Sequence, residues 1–322
     1  MDKSIGSQLK KYLQIILLIS TVSANYTGGY ANAPFNLESC ARDVALVGAT
    51  VAGGTEGFYS FSNPALLPNM KSLKFSTSYS MLALDRYVQV VSISKNLPPS
   101  AGISLSIYRS GTDNVEGRSS TNFLTGKIYS TSNYFGMISF GVAPSKHFSI
   151  GINVKAFYSS IFLDSPFTDP NSNGVFMDIG ALYTREKVRI GIKYENVGTS
   201  MKWKIDEGGH NQFSYNETIP KQISIGCNYL LSNKFQIFAQ QDLLLIENQD
   251  FNYRNKLAIE YKRKEIQIRG GILVQNNSLT PRFGIGFDRK IFSANKVTFD
   301  YSLDFGKASE GLNNNLSIII SY

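Results

Sequence analysis

Phe148-Ser149-Ile150-Gly151-Ile152-Asn153-Val154-Lys155-Ala156-Phe157-Tyr158 is the stretch that decides the fold. Phe148, Ile150, Ile152, Val154, Ala156 and Tyr158 fall on one face at a period of two, and Ser149, Gly151, Asn153, Lys155 and Phe157 fall on the other. A strand with one apolar and one polar face, repeated many times along a chain, predicts a barrel with lipid outside and a polar lumen inside.

Working outward from it, fourteen segments carry the pattern: 73–80, 87–94, 101–109, 134–143, 147–158, 175–184, 188–197, 222–230, 234–242, 256–261, 266–274, 282–288, 297–305 and 315–322. Most have the roughly 9–11 residues that a tilted strand needs to cross a bilayer. Connections after even-numbered strands are brief, as in Pro144-Ser145-Lys146, Arg185-Glu186-Lys187, Leu231-Ser232-Asn233 and Lys262-Arg263-Lys264-Glu265. Those after odd-numbered strands include the long stretches 110–133, 159–174, 198–221 and 243–255. The expected architecture is an all-β transmembrane antiparallel barrel of fourteen strands in a cell outer membrane, with periplasmic termini and extracellular long loops. The last strand places Leu316, Ile318, Ile320 and Tyr322 on one face, as an aromatic-ended closing strand would.

Three parts follow. Residues 1–24 have Lys3, Lys10 and Lys11 before an apolar run at 12–19 and small residues at Val22-Ser23-Ala24, which predicts a cleaved signal peptide. Residues 25–70 lack strand alternation; Gly, Ala and Ser permit a compact backbone, and Pro64 and Pro68 punctuate it, as expected of a plug. Residues 71–322 form the barrel. The formal net charge of +8 falls by two when the signal's three lysines and one aspartate are removed, and a balance this mild gives a nucleic-acid partner no support. Aromatic residues make up 12% of the chain, and Tyr79, Tyr87, Tyr108, Tyr134, Tyr158, Tyr183, Tyr194, Tyr229 and Tyr261 near strand ends suggest interfacial girdles.

The order of motifs carries a resemblance. Ala41-Arg42-Asp43 leads through Val47-Gly48-Ala49 to Glu56 and then to Asn63-Pro64-Ala65-Leu66; Asp178-Ile179-Gly180, Glu195-Asn196-Val197-Gly198, Glu260-Tyr261, Ile268-Arg269-Gly270-Gly271 and Phe299-Asp300-Tyr301 follow. Over about residues 35–322 the chain resembles the PorV/PorQ family, a branch of FadL-like outer-membrane barrels. The resemblance implies a fourteen-stranded barrel with a short N-terminal segment in its lumen, and a part in type IX protein secretion and surface attachment, with protein partners from such a complex. A FadL-like channel for a hydrophobic ligand is the alternative.

The plug residues singled out are Arg42, Gly48, Glu56, Asn63 and Pro64, with Arg42 and Glu56 free to pair with inward charges. The expected lumen network is Asp178, Arg189, Glu195, Glu260, Arg269 and Asp300, because charges tolerated inside a barrel are costly on its lipid face. A turn at Arg263-Lys264 would make Glu260 and Arg269 diagonal neighbours. No catalytic role is expected: His147 and His210 are the two histidines, and neither has a partner at a catalytic spacing. No motif points to a cofactor. Asp169-Pro170-Asn171-Ser172-Asn173-Gly174 opens like a calcium loop but ends on Gly180 where a bidentate Glu belongs, so no metal site is assigned. Leu37-Glu38-Ser39-Cys40 has Glu where an acylation site needs a small residue.

Overall fold

The computed structural model describes residues 35–163, 168–198, 200–206, 212–245, 252–275, 278–291, 295–306 and 311–322. The expected signal peptide, residues 25–34 and His210 lie outside the described residues. Sixteen strands follow a short N-terminal region: β1 (Lys74–Leu82), β2 (Arg86–Leu97), β3 (Ala101–Arg118), β4 (Leu124–Val142), β5 (Phe148–Phe162), β6 (Thr168–Arg185), β7 (Val188–Val197), β8 (Ser200–Asp206), β9 (Gln212–Thr218), β10 (Lys221–Ser232), β11 (Phe235–Leu245), β12 (Asn252–Arg263), β13 (Ile266–Gln275), β14 (Ser278–Ile291), β15 (Asn295–Asp304) and β16 (Asn313–Ser321).

Fourteen of them close a ring. β1 pairs antiparallel with both β2 and β16, β5 pairs with β6, and β7 passes directly to β10, so β8 and β9 form a hairpin outside the ring. Closure gives each ring strand two hydrogen-bonded neighbours, which a chain surrounded by hydrocarbon requires. No helix among the described residues is long and apolar enough to cross a membrane; the strands do the crossing.

The alternation of 148–158 is realised on β5. Ser149, Asn153, Lys155 and Phe157 are buried inward, while Phe148, Ile150, Ile152, Val154 and Tyr158 are exposed on the outer surface. Other strands repeat the pattern, with Ile103, Leu105 and Ile107 outward on β3 and Phe283, Ile285 and Phe287 outward on β14. These side chains make the apolar band that meets lipid.

The long connections differ from expectation in kind. Most of 110–133 and 159–174 is strand: β3 has 18 residues, β4 19, β5 15 and β6 18, against 9 in β1 and β16. Within stretch 198–221, β8 and β9 pair antiparallel, and β8 is tied to β6 at Thr168 and Asn171. The wall β3–β6 therefore rises well above the rest of the long-loop rim. Residues 169–174, the calcium-loop look-alike, are paired within β6 and cannot wrap an ion as a loop would.

Register also shifts at β12–β13. Lys264 (φ 52) and Glu265 make the turn, so Arg263 faces Ile266 and Glu260 faces Arg269 directly instead of diagonally. The turn begins one residue later than Arg263, at the residue that adopts the left-handed backbone a tight hairpin needs. Both side chains remain on the lumen face.

Replacing Ile152 by Arg should cost about 2–4 kcal/mol of barrel stability, since a guanidinium near the bilayer midplane must leave water. Urea unfolding of protein refolded into vesicles measures this; a cost under about 0.5 kcal/mol would contradict the outward placement of that face.

Candidate functional site

The N-terminal region contains helix α1 (Ala41–Ala45), helix α2 (Tyr59–Ser62) and a 3-10 helix (Pro64–Asn69). These are too short to persist alone, and inward side chains from around the ring hold them. The Ala41 amide donates to Ser317 Oγ on β16 (3.0 Å), the Val51 amide to Gln240 on β11 (2.9 Å), and Asn153 on β5 donates to the Ser60 carbonyl (2.9 Å). Lys193 on β7 donates to the Phe61 carbonyl (2.7 Å), and Ser149 to the Ala65 carbonyl (2.7 Å).

Contact this close needs walls without side chains. A Cβ on Gly151 would overlap the Pro64 backbone, and one on Gly191 would overlap the Val51 carbonyl. Gly102 and Gly141 meet its backbone in the same way, while Gly180 makes room for the Asn63 side chain and Gly284 for the Ala45 methyl, so inward glycines on six strands admit the segment.

Asn63 explains the Asn-Pro motif. Its side-chain oxygen accepts the Ala65 amide (3.0 Å), capping the 3-10 helix that Pro64 begins, and its amide nitrogen donates to the carbonyls of Val51 (2.9 Å), Ala181 (3.2 Å) and Ile192 (3.3 Å). Pro suits that first helical position because its missing N–H would have had no partner.

Charges lock the remainder. Arg42 forms a bidentate pair with Glu260 (2.8 and 3.1 Å), lies over the Phe238 ring and donates to the Gly53 carbonyl. Glu260 also binds Arg269, which reaches Asp300, so three expected lumen residues and one plug residue form a single chain of charge. Asp178 pairs instead with Lys155 (2.6 Å) and Lys193 (3.6 Å), and Lys193 bridges to Glu195 (2.6 Å). A bulge on β7, with Asn196 at φ 63, turns the Asn196 amide toward Asp178 (3.3 Å). Gly48 (φ 69) accepts from Lys256 through its carbonyl (3.3 Å). Two residues behave differently from expectation. Glu56 pairs with Lys74 (3.1 Å) at the start of β1, outside the named network, because α2 brings it to that end of the ring. Arg189 lies inward but takes part in none of the ion pairs found among the described residues, being near the short-turn end of β7 and below the carboxylates.

Sequence reading missed Glu38, which pairs with Arg282 (2.8 Å). Burial alone would raise its carboxyl, but Arg282 and Lys256 outweigh that and hold it below the usual range. Burial raises Asp43, only partly offset by donation from Thr55 (2.6 Å) and Ser62 (3.0 Å). Cys40 is buried in the segment with its thiol against Thr55.

The larger omission is an aromatic cage. Tyr108, Phe135, Phe157 and Phe176 point inward from β3, β4, β5 and β6, and Phe35 stands among them with ring centroids 6.3, 5.5, 6.0 and 6.3 Å away. Tyr108 is thus a lumen residue, 1% exposed, and not part of an interfacial girdle. Phe58, Met137, Met201 and Ile219 belong to the same buried cluster, with Cys40, Val88, Val90 and Ile319, and Trp203 of the β8 strand packs against it. The signal available in the sequence was an aromatic residue at lumen parity on four successive strands. A cavity of about 200 Å³ is bordered by Glu38, Arg254, Lys256, Arg282 and Asp304, and a second of about 100 Å³ shares Glu38, Arg254 and Lys256 with it and reaches Phe35 and Phe135 of the cage. The basic residues there are paired, Lys256 and Arg254 with Asp242 and Arg282 with Glu38 and Asp304, so the lumen carries an aromatic cluster beside a network of ion pairs. No group of three metal-ligating side chains occurs among the described residues, and His147 Nδ1 lies 3.0 Å from the Thr184 carbonyl at the rim.

No family model and no curated protein sequence matches the chain. Solved structures do. It is similar to the toluene transporter TbuX of Ralstonia pickettii (TM-score 0.68, 15% identity, 89% of this chain and 98% of that one). It is also similar to the monoaromatic hydrocarbon channel CymD (0.63, 11%, 91% and 98%) and to a FadL homologue of Pseudomonas aeruginosa (0.61, 10%, 93% and 99%). At these identities the likeness shows the fold: a fourteen-stranded FadL-like barrel.

Gly151→Val should force residues 35–70 off the β5 wall while leaving the barrel heat-modifiable on gels, because the added carbons occupy the place of the Pro64 backbone. Limited proteolysis of refolded protein checks it; protection equal to wild type would contradict the docking.

Proposed function

We propose that this barrel is an outer-membrane channel for small hydrophobic molecules, with residues 35–70 as the plug that closes it and the short-turn rim facing the periplasm. The observation that carries this reading is the aromatic cage around Phe35. A polar lumen has no structural need for four converging rings, and a flat apolar guest held edge-on by several of them gains both burial and ring geometry. Phe35 then acts as a built-in occupant that a ligand of similar shape displaces. The fold neighbours described as toluene and monoaromatic hydrocarbon channels favour a monoaromatic guest.

The export-accessory reading rests on the PorV/PorQ-like order of motifs in the N-terminal segment. The same motifs have a local physical use: Asn63-Pro64 caps a 3-10 helix against β6 and β7, and Arg42 ties α1 to Glu260. They support a docked segment whichever cargo the barrel serves, and the cage tips the balance toward a channel.

Trp203, the chain's one tryptophan, packs against the cage and reports on it. Titrating refolded protein with toluene should change its emission saturably, and a sugar should not. Phe35→Ala should tighten apparent toluene binding by about tenfold, since the guest no longer competes with a tethered ring, whereas Phe135→Ala should weaken it. Weaker binding in Phe35→Ala, or a linear response in wild type, would overturn the reading.

A further inference from the structure

At the short-turn rim the outer face carries a repeated arrangement that lumen chemistry does not use. On three strands an outward aromatic is followed two residues later, on the same face, by an arginine: Tyr183 and Arg185 on β6, Tyr261 and Arg263 on β12, Phe287 and Arg289 on β14. Period-two geometry puts each guanidinium one step beyond its ring, on the water side. The rings are partly exposed and cluster across strands, with Phe235 against Tyr261 at 4.6 Å and Ile266 opposite Phe287. Such a row marks the boundary between hydrocarbon and headgroups.

The arginines lack acidic partners at that level. Asp288, next to Arg289, faces the lumen, where Lys262 (3.1 Å) and Lys296 (2.8 Å) neutralise it, and Glu186 and Glu265, close in sequence to Arg185 and Arg263, form no ion pair with them among the described residues. Among the described residues Arg185, Arg263 and Arg289 make no ion pair, and all three are exposed. Lys234, Lys264 and Lys290 add charge in the same run of hairpins from β6 to β15, against Glu186 and Glu265 alone in the turns. The β2–β3 turn, Pro98-Pro99-Ser100, has no charge, and with Lys95 near it and Lys146 in the β4–β5 turn the basic residues are sparser there than on the β6–β15 side.

We infer that this side of the rim is a binding belt for anionic phospholipid headgroups, each guanidinium taking a phosphate oxygen pair while the ring beside it packs on the first acyl carbons. Arg presents a planar fork that matches phosphate, and its weak hydration suits the interface. The belt would fix the barrel's depth and recruit phosphatidylglycerol or cardiolipin to the β6–β15 side.

The test uses full-length protein refolded in neutral detergent and titrated with dioleoylphosphatidylglycerol or dioleoylphosphatidylcholine, with bound lipids counted by native mass spectrometry. Wild type should prefer the anionic lipid by at least tenfold at low salt, at about fivefold per engaged arginine. R185Q/R263Q/R289Q should lose most of that preference, and the triple Lys variant should keep much of it. Heat-modifiability on gels confirms folding; if the triple variant fails to fold, R263Q alone should lose about fivefold. Equal binding of both lipids by wild type would overturn the inference. So would an undiminished preference in the Gln variants, an equal loss from R118Q/K127Q/K202Q at the opposite rim, or poly-glutamate binding to a rim indifferent to lipid.

Discussion

Backbone hydrogen bonding inside hydrocarbon is the constraint on which the rest of this structure depends. An unpaired amide in lipid costs several kcal/mol, so the sheet must close, and here it closes through Phe75 opposite Ile320 and the rest of the β1–β16 ladder. Closure fixes parity: every residue is committed to lipid or lumen. A fourteen-stranded ring encloses a space that its own side chains do not fill. The chain meets that demand with its N-terminal segment, admitted by inward glycines and tied by Asn63, Arg42 and Glu38.

The ties are mostly buried charges, and their value lies in position more than in net stability. A buried ion pair roughly breaks even against apolar packing, yet removing one member leaves an uncompensated charge costing about 3–5 kcal/mol. Glu260 illustrates this, shared between Arg42 of the segment and Arg269 of the wall. An apolar interface could slide, whereas this one has a single register. The serines on the facing strands do the opposite: Ser92, Ser104 and Ser106 bond to one another and bind the segment only weakly, through Ser60 at 3.4 Å. The segment is held on the cage side by β5 instead, where Ser149 and Asn153 bond the carbonyls of Ala65 and Ser60.

What was legible in the sequence follows from where lipid imposes contrast. The fourteen ring strands stood out because their outer faces had to be apolar, as 148–158 shows. Strand length did not: beyond the bilayer the outer face of β3 and β4 meets water, so stretches such as Ser130-Thr131-Ser132 lose the period-two signal while the ladder continues. The β12–β13 register hung on which residue took the left-handed backbone, and Lys264 carries no residue-type preference for it. Arg42, Asn63 and Glu260 were found through motif and charge. The cage was missed because Tyr108, Phe135, Phe157 and Phe176 each resemble ordinary strand aromatics, and only the ring's curvature brings them together.

The central claim is that the cage receives a guest in place of Phe35. A crystal structure of the full chain soaked in toluene tests it most directly. The account predicts a planar density bounded by Tyr108, Phe135, Phe157 and Phe176, with the Phe35 side chain moved out of the cage. Phe35 still seated among those four rings, with toluene bound elsewhere or not at all, would contradict it.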